Sequence, residues 1–286
     1  MTLFTRRTFS WGAAAFGAGW AAAEAERKLK VYLFVDMEGI SGISGSEQTI
    51  GARREEGCRL MAQDINACVE GCFAAGATEV VVRDGHWKGV NVDPKAIDTR
   101  AKLVQGAGTD VRFKELEGSE ALILLGYHAK ALTPGALLAH SYSSASIQGM
   151  WLNGREVGEI GLDAAMAAEH GVPVVMVSGC DKVAAEAREW IPGVVTCAVK
   201  KSTGHQGAEC LPPDEACRLI REKTEEAVRK RKEIRLVDVA HPATLRRDYL
   251  PKDSLRTYDP AFKPVENPRR VEKSGPTVER LFFNKE

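Results

Sequence analysis

No charge excess, paired-cysteine motif or long apolar run stands out in this chain, and each lack removes a class of function. Lys plus Arg and Asp plus Glu both number 39. No basic surplus therefore points to nucleic acid, and no polybasic run points to a membrane surface. The seven cysteines include no Cys-x-x-Cys pair, which argues against a thiolate zinc site. Cys68 and Cys72, four apart in a helical stretch, read as small core residues. Seven is odd, so at least one thiol is unpaired or intermolecular. Ser141-Tyr142-Ser143-Ser144 lies outside any Gly-x-Ser-x-Gly elbow, which disfavours a serine triad. The Gly39-to-Gly45 run has neither dinucleotide-binding spacing nor a P-loop lysine, so its glycines read as close backbone approaches. No internal repeat or coiled-coil heptad is present.

What is present begins with an N-terminus unlike the rest. Thr5-Arg6-Arg7-Thr8-Phe9 precedes a weakly apolar, Ala/Gly-rich run from Trp11 to Ala23. That run falls short of the roughly 20 residues a membrane-spanning helix needs. Small-x-small cleavage sites follow at Ala21-Ala22-Ala23 and Ala23-Glu24-Ala25. Residues 1–25 thus resemble a twin-arginine export signal, which predicts a periplasmic or secreted protein with no stable membrane anchor once the signal is removed.

From residue 29 onward, short apolar runs alternate with helical stretches. Strands are predicted at 29–35, 79–82, 121–125, 174–177 and 194–199. Helices are predicted at 53–75, 160–170, 182–190 and 213–232, the first stopped by Gly76 in the manner of a left-handed cap. Asn153-Gly154 between two apolar runs predicts a tight hairpin. This alternation predicts an α/β fold, a mainly parallel sheet flanked by helices. Lys201 to Gly204 reads as a linker, after which charges and prolines increase. The predicted organisation is an export signal at 1–25, a metal-binding α/β domain at 26–200 and a smaller C-terminal α+β unit at 201–286.

Ligands of open parallel sheets bind beyond the carboxyl ends of the strands. Strand one ends in Asp36-Met37-Glu38, strand two in Asp84-Gly85-His86, and the 121–125 run in Gly126-Tyr127-His128. Asp36 and Glu38, two apart, point to one side of an extended segment. Like charges this close repel, and a divalent cation removes the conflict. Carboxylate plus imidazole without thiolate suits zinc, manganese or iron. With Glu159 at the start of the helix after the hairpin and His140 after Pro134-Gly135, the donors exceed the needs of one tetrahedral ion. That favours two metals about 3.5–4 Å apart. His170 reads as a helix-end structural residue, and His205 and His241 as solvent-facing.

Val35-Asp36-Met37-Glu38-Gly39-Ile40-Ser41-Gly42 resembles the opening motif of the D-aminopeptidases, the peptidase M55 group. The likeness continues in Asp84-Gly85-His86, Leu125-Gly126-Tyr127-His128-Ala129-Lys130, Thr133-Pro134-Gly135, Ala139-His140-Ser141 and Val157-Gly158-Glu159-Ile160-Gly161-Leu162, in order from about residue 29 to 232. The resemblance implies a homo-oligomeric, two-zinc aminopeptidase that releases N-terminal D-amino acids, such as D-alanine, from short peptides. It implies that Asp36, Glu38, His86, His128 and Glu159 bind two Zn²⁺ per subunit, with Asp36 bridging, and that His140 is catalytic. The residues by themselves also admit Mn²⁺ or another divalent ion. They equally leave open another two-metal amidase or phosphoesterase, or a non-catalytic periplasmic peptide-binding protein.

Overall fold

The computed structural model describes residues 28–106, 111–250 and 266–284; the expected export signal lies outside them. Its centre is a seven-stranded sheet in the order β3-β2-β1-β4-β7-β8-β9. The strands are β1 (Lys30–Val35), β2 (Glu79–Asp84), β3 (Lys102–Val104), β4 (Ala121–Leu125), β7 (Val174–Cys180), β8 (Val195–Gly204) and β9 (Gly207–Cys210). All adjacent pairs are parallel except β8 with β9. β1 and β4 are apolar throughout or nearly so, because helices cover both faces of such a sheet; every residue of β4 is buried.

The α-helices are α1 (Arg54–Ala74), α2 (Glu159–Glu169), α3 (Asp181–Trp190), α4 (Pro213–Arg229) and the short α5 (Val278–Phe282). α1 packs on α4, and α2 on α3. From β1 the chain winds outward through α1 to β2. From β4 it winds the opposite way, through α2 to β7 and through α3 to β8. β1 and β4 are neighbours, so their carboxyl ends flank the point where winding reverses, the place where such sheets leave a crevice.

Two glycines let the loops after β1 and β4 meet there. Gly39 N donates to Gly126 O at 2.7 Å, and Asp36 N to Leu125 O at 2.8 Å. A Cβ on Gly39 would lie 2.0 Å from the Tyr127 carbonyl oxygen. Gly126 has φ +74°, and a Cβ there would sit 2.5 Å from Asp36 O, so both positions demand glycine.

A second, antiparallel sheet runs β11-β10-β5-β6, from β5 (Ile147–Leu152), β6 (Arg155–Glu156), β10 (Ala243–Tyr249) and β11 (Arg269–Gly275). The predicted hairpin is β5–β6, with Asn153 at φ 49° and Gly154 at φ 81°. The fold class is as expected, with two local differences. Residues 201–204 are strand, not linker: β8 continues through them because β9 returns to pair with it. The smaller sheet joins β5 and β6 to β10 and β11, so it draws on residues from both sides of position 200. β3, with its three residues, and β9 escaped notice because each carries too few apolar residues to set a period. No helix among the described residues is long and apolar enough to cross a membrane. All seven cysteines are free, with Cys68 and Cys72 buried on α1 as expected.

Candidate metal centre

All six residues singled out from the sequence converge at the crevice between β1 and β4. They form two groups, Asp36–Glu38–His86 and His128–His140–Glu159, whose offered donor atoms lie within 4.8 Å of one another in each. His86 Nδ1 lies 3.1 Å from Asp36 Oδ1 and 3.2 Å from Glu38 Oε2. His128 Nε2 lies 3.4 Å from Asp36 Oδ2 and 3.1 Å from Glu159 Oε1. Asp36 therefore faces one group with each carboxylate oxygen. His140 Nε2 stands 3.8 Å from Glu159 Oε1. Five of the six residues are buried, and His140 is half-buried at the rim.

Local structure aims these side chains. Glu159 opens α2, where the amino-terminal dipole favours a carboxylate, and its Oε1 accepts from Tyr142 N at 2.7 Å. His128 Nδ1 donates to Ala129 O at 3.0 Å. A carbonyl only accepts, so Nδ1 carries a proton and Nε2 is the nitrogen turned toward Asp36 and Glu159, where a metal would take the place of its proton. His140 Nδ1 donates to Leu138 O at 2.9 Å, which fixes the same tautomer. Asp84 is fully buried and accepts from Asn91 N and Nδ2, both at 2.6 Å. Asn91 Nδ2 also donates to His86 O at 2.8 Å. Asp84 thus braces the loop that presents His86 rather than joining the cluster.

The electrostatics show a strong demand for positive charge. Burial and the neighbouring Glu38 charge push Asp36 up to about 6. Burial also works against ionised Glu38, yet His86 and the other imidazoles hold it well below the usual range. Burial alone would lower His86 and His128, but the carboxylates raise them to about 11 and about 10. Glu159 falls to about 2, with burial overcome by His128, His140 and Arg112. His140 is lowered by burial and by adjacent His128.

A pair of divalent metals fits this donor set. Glu38 Oε2, His86 Nε2 and His128 Nε2 are buried and make no hydrogen bond. Buried polar atoms are normally satisfied, and the 3.1–3.4 Å approaches of His128 Nε2 to carboxylate oxygens without hydrogen-bond geometry suit ligands sharing an ion. Oxygen and imidazole nitrogen donors without thiolate are zinc- or manganese-compatible.

Sequence reasoning missed the residues behind this shell. Asp163, fully buried one turn after Glu159 on α2, accepts from Arg112 Nε (2.9 Å), an Arg112 terminal nitrogen (2.8 Å), Tyr127 OH (2.6 Å) and Tyr142 OH (2.9 Å). The i to i+4 spacing from Glu159 was the available signal, since it places both carboxylates on one helix face. Away from the site, His170 caps the end of α2 as expected, and His241 is exposed. His205, expected to face solvent, is half-buried, and its carbonyl accepts from Leu138 N at 3.0 Å.

An α/β sheet carrying a buried carboxylate–imidazole cluster at its switch point defines a candidate metallohydrolase. The sequence pattern of the D-aminopeptidases, peptidase M55, matches residues 29–258, and the chain belongs to this family. It is 38% identical over 214 residues to a D-aminopeptidase of Bacillus subtilis strain 168, covering 72% of this chain and 76% of that protein. Its fold is similar to that of the Zn-dependent D-aminopeptidase DppA from Bacillus subtilis, described as a self-compartmentalizing protease. The TM-score is 0.79 at 29% identity, covering 90% of this chain and 97% of that one.

Proposed function

We propose that this chain is a two-zinc aminopeptidase that removes the N-terminal residue, a D-amino acid such as D-alanine, from short peptides. The observation that carries this reading is the split of Asp36, one carboxylate oxygen toward His86 and the other toward His128. Glu38 and His86 would hold one ion and His128 and Glu159 the other, with Asp36 placed to serve both. Bound zinc would polarise the scissile carbonyl and lower the pKa of water to about 7.

The chain's own groups supply the rest. His140 is neutral at Nε2 because its Nδ1 proton is engaged by Leu138 O. Nε2 can therefore take a proton from the attacking water and pass it to the leaving amine. This tautomer favours proton shuttling over donation to the oxyanion.

The test is turnover of D-Ala and L-Ala p-nitroanilides beside p-nitrophenyl phosphate, after reconstitution with zinc or manganese. Preference for the D-Ala substrate supports the proposal. Phosphate-ester cleavage alone, or tight binding of a D-Ala peptide without hydrolysis, overturns it. Assembly into a homo-oligomer belongs to the same proposal and is checked by light scattering. Export through the Arg6-Arg7 signal is proposed as well. Retention of the protein in the cytoplasm of a twin-arginine-competent cell would refute it.

A further inference from the structure

Lys200, on β8, is 4% exposed, yet no ion pair among the described residues includes it. Its Nζ donates to Glu38 O at 3.1 Å, Ile40 O at 2.5 Å and Ile43 O at 2.7 Å. Three donors thus meet three carbonyls of one short loop, which saturates an ammonium group. Strand register sets Lys200 opposite Cys180 on β7 and Cys210 on β9. Its neighbours on that rung are thiols, so the loop carbonyls are its main compensation. Burying an ammonium this way is costly, and a methionine of similar length would fill the space without the charge. The cost is explained by the loop: it turns twice, with Ile40 N donating to Met37 O and Ile43 N to Ile40 O, and leaves its carbonyls facing inward.

Asp64 works from α1. It is fully buried and accepts from Ser41 N at 2.8 Å and from Ser41 Oγ at 2.5 Å. A buried cation therefore grips residues 38, 40 and 43, and a buried anion grips residue 41 between them. The gripped loop is the one that carries Glu38, whose Oε2 is buried and makes no hydrogen bond of its own.

We propose that Lys200 and Asp64 are positioning residues that fix Glu38 for the Asp36–Glu38–His86 metal, leaving the His128–Glu159 metal to other supports. This rests on the two-metal reading above. Outer partners of metal ligands typically change affinity about 10–100-fold when removed.

The experiment is calorimetric titration of metal-free, full-length protein with Zn²⁺, alongside thermal melts. Wild type, Lys200→Met, Asp64→Asn and Ser41→Ala are compared. Thr224→Val is the control, because Thr224 is buried against Cys68 and Met176 and does not touch the loop. The expected result is two ions in wild type and in Thr224→Val. In the three loop variants one ion weakens by about 10–100-fold and the other holds. If Lys200→Met does not fold, Asp64→Asn and Ser41→Ala carry the test, since each keeps side-chain volume. Unchanged affinity for both ions overturns the proposal, as does equal weakening of both in step with the melting temperature. Wild type binding no divalent metal would instead overturn the two-metal reading, and this proposal with it.

Discussion

His140 lies face to face on His128, with ring centroids 3.8 Å apart and planes 12° from parallel. Two imidazolium rings at this distance would repel. The surroundings divide their roles. Burial disfavours charge on both, but Glu159 and Asp36 restore it to His128, while His128 itself further depresses His140. A metal ion on His128 Nε2 would press on His140 in the same sense. The stack therefore disfavours charge on His140, which suits the proposed division in which His128 would be a ligand and His140 a proton acceptor.

Replacing His140 separates those roles. His140→Ala should retain two zinc ions, measured by elemental analysis, and lose about 10²–10⁴-fold in kcat, the usual worth of a positioned general base. Loss of one zinc from the variant would make His140 a ligand rather than a proton carrier.

Chelation should lower the melting temperature, because ions that bind only the folded chain stabilise it by about 2.7 kcal/mol per site at 100 times Kd. Protons compete for the same donors, with His86 and His128 holding theirs up to about 11 and about 10. Metal affinity therefore falls as pH falls. Calorimetric scans should show a larger drop on chelation at pH 8 than at pH 5.5. An equal drop at both would mean that the ligands do not titrate with the metal.

Much of the fold and the inner cluster was legible in sequence, for physical reasons. β1 and β4 are continuous apolar runs, and the polar residues that end them had to lie at one sheet edge. Asn153-Gly154 adopts the positive φ values its turn needs. The bracing residues were not legible. Lys200 sits in a strand that alternates exposed and buried positions, where a lysine reads as solvent-facing. Asp64 is one of several polar and charged residues along α1. Arg112 reaches Asp163 from 51 residues away. Nothing local marks such residues as buried, since their partners are distant backbone and side-chain groups.

The close passage of the β1 and β4 loops yields a steric prediction. In Gly39→Ala the new Cβ meets the Tyr127 carbonyl oxygen at 2.0 Å, and backbone on both sides leaves no room to yield. Overpacking of this kind costs about 3 kcal/mol. It should also displace Asp36 and Glu38 from His128, so zinc content should fall along with the midpoint of urea unfolding. A variant with full zinc and wild-type stability would show that the two loops can part.

Glu186 gives the clearest pH signature outside the cluster. On α3 it accepts from Lys130 N at 2.7 Å through Oε2, while Oε1 is buried without a hydrogen bond. Burial lifts its pKa from 4.5 to about 7. The folded chain then holds this proton more tightly than the unfolded one. Its stabilising contribution is complete below the unfolded value of 4.5 and is lost as pH rises to about 7. At about 1.36 kcal/mol per unit the loss across that window is roughly 3 kcal/mol at most. Glu186→Gln keeps the acceptor for Lys130 N and cannot ionise. It should match wild type in melting temperature near pH 4.5 and exceed it by roughly 5 °C at pH 8. The same difference at both pH values would mean that Glu186 is solvated in the folded protein and titrates as an ordinary carboxylate.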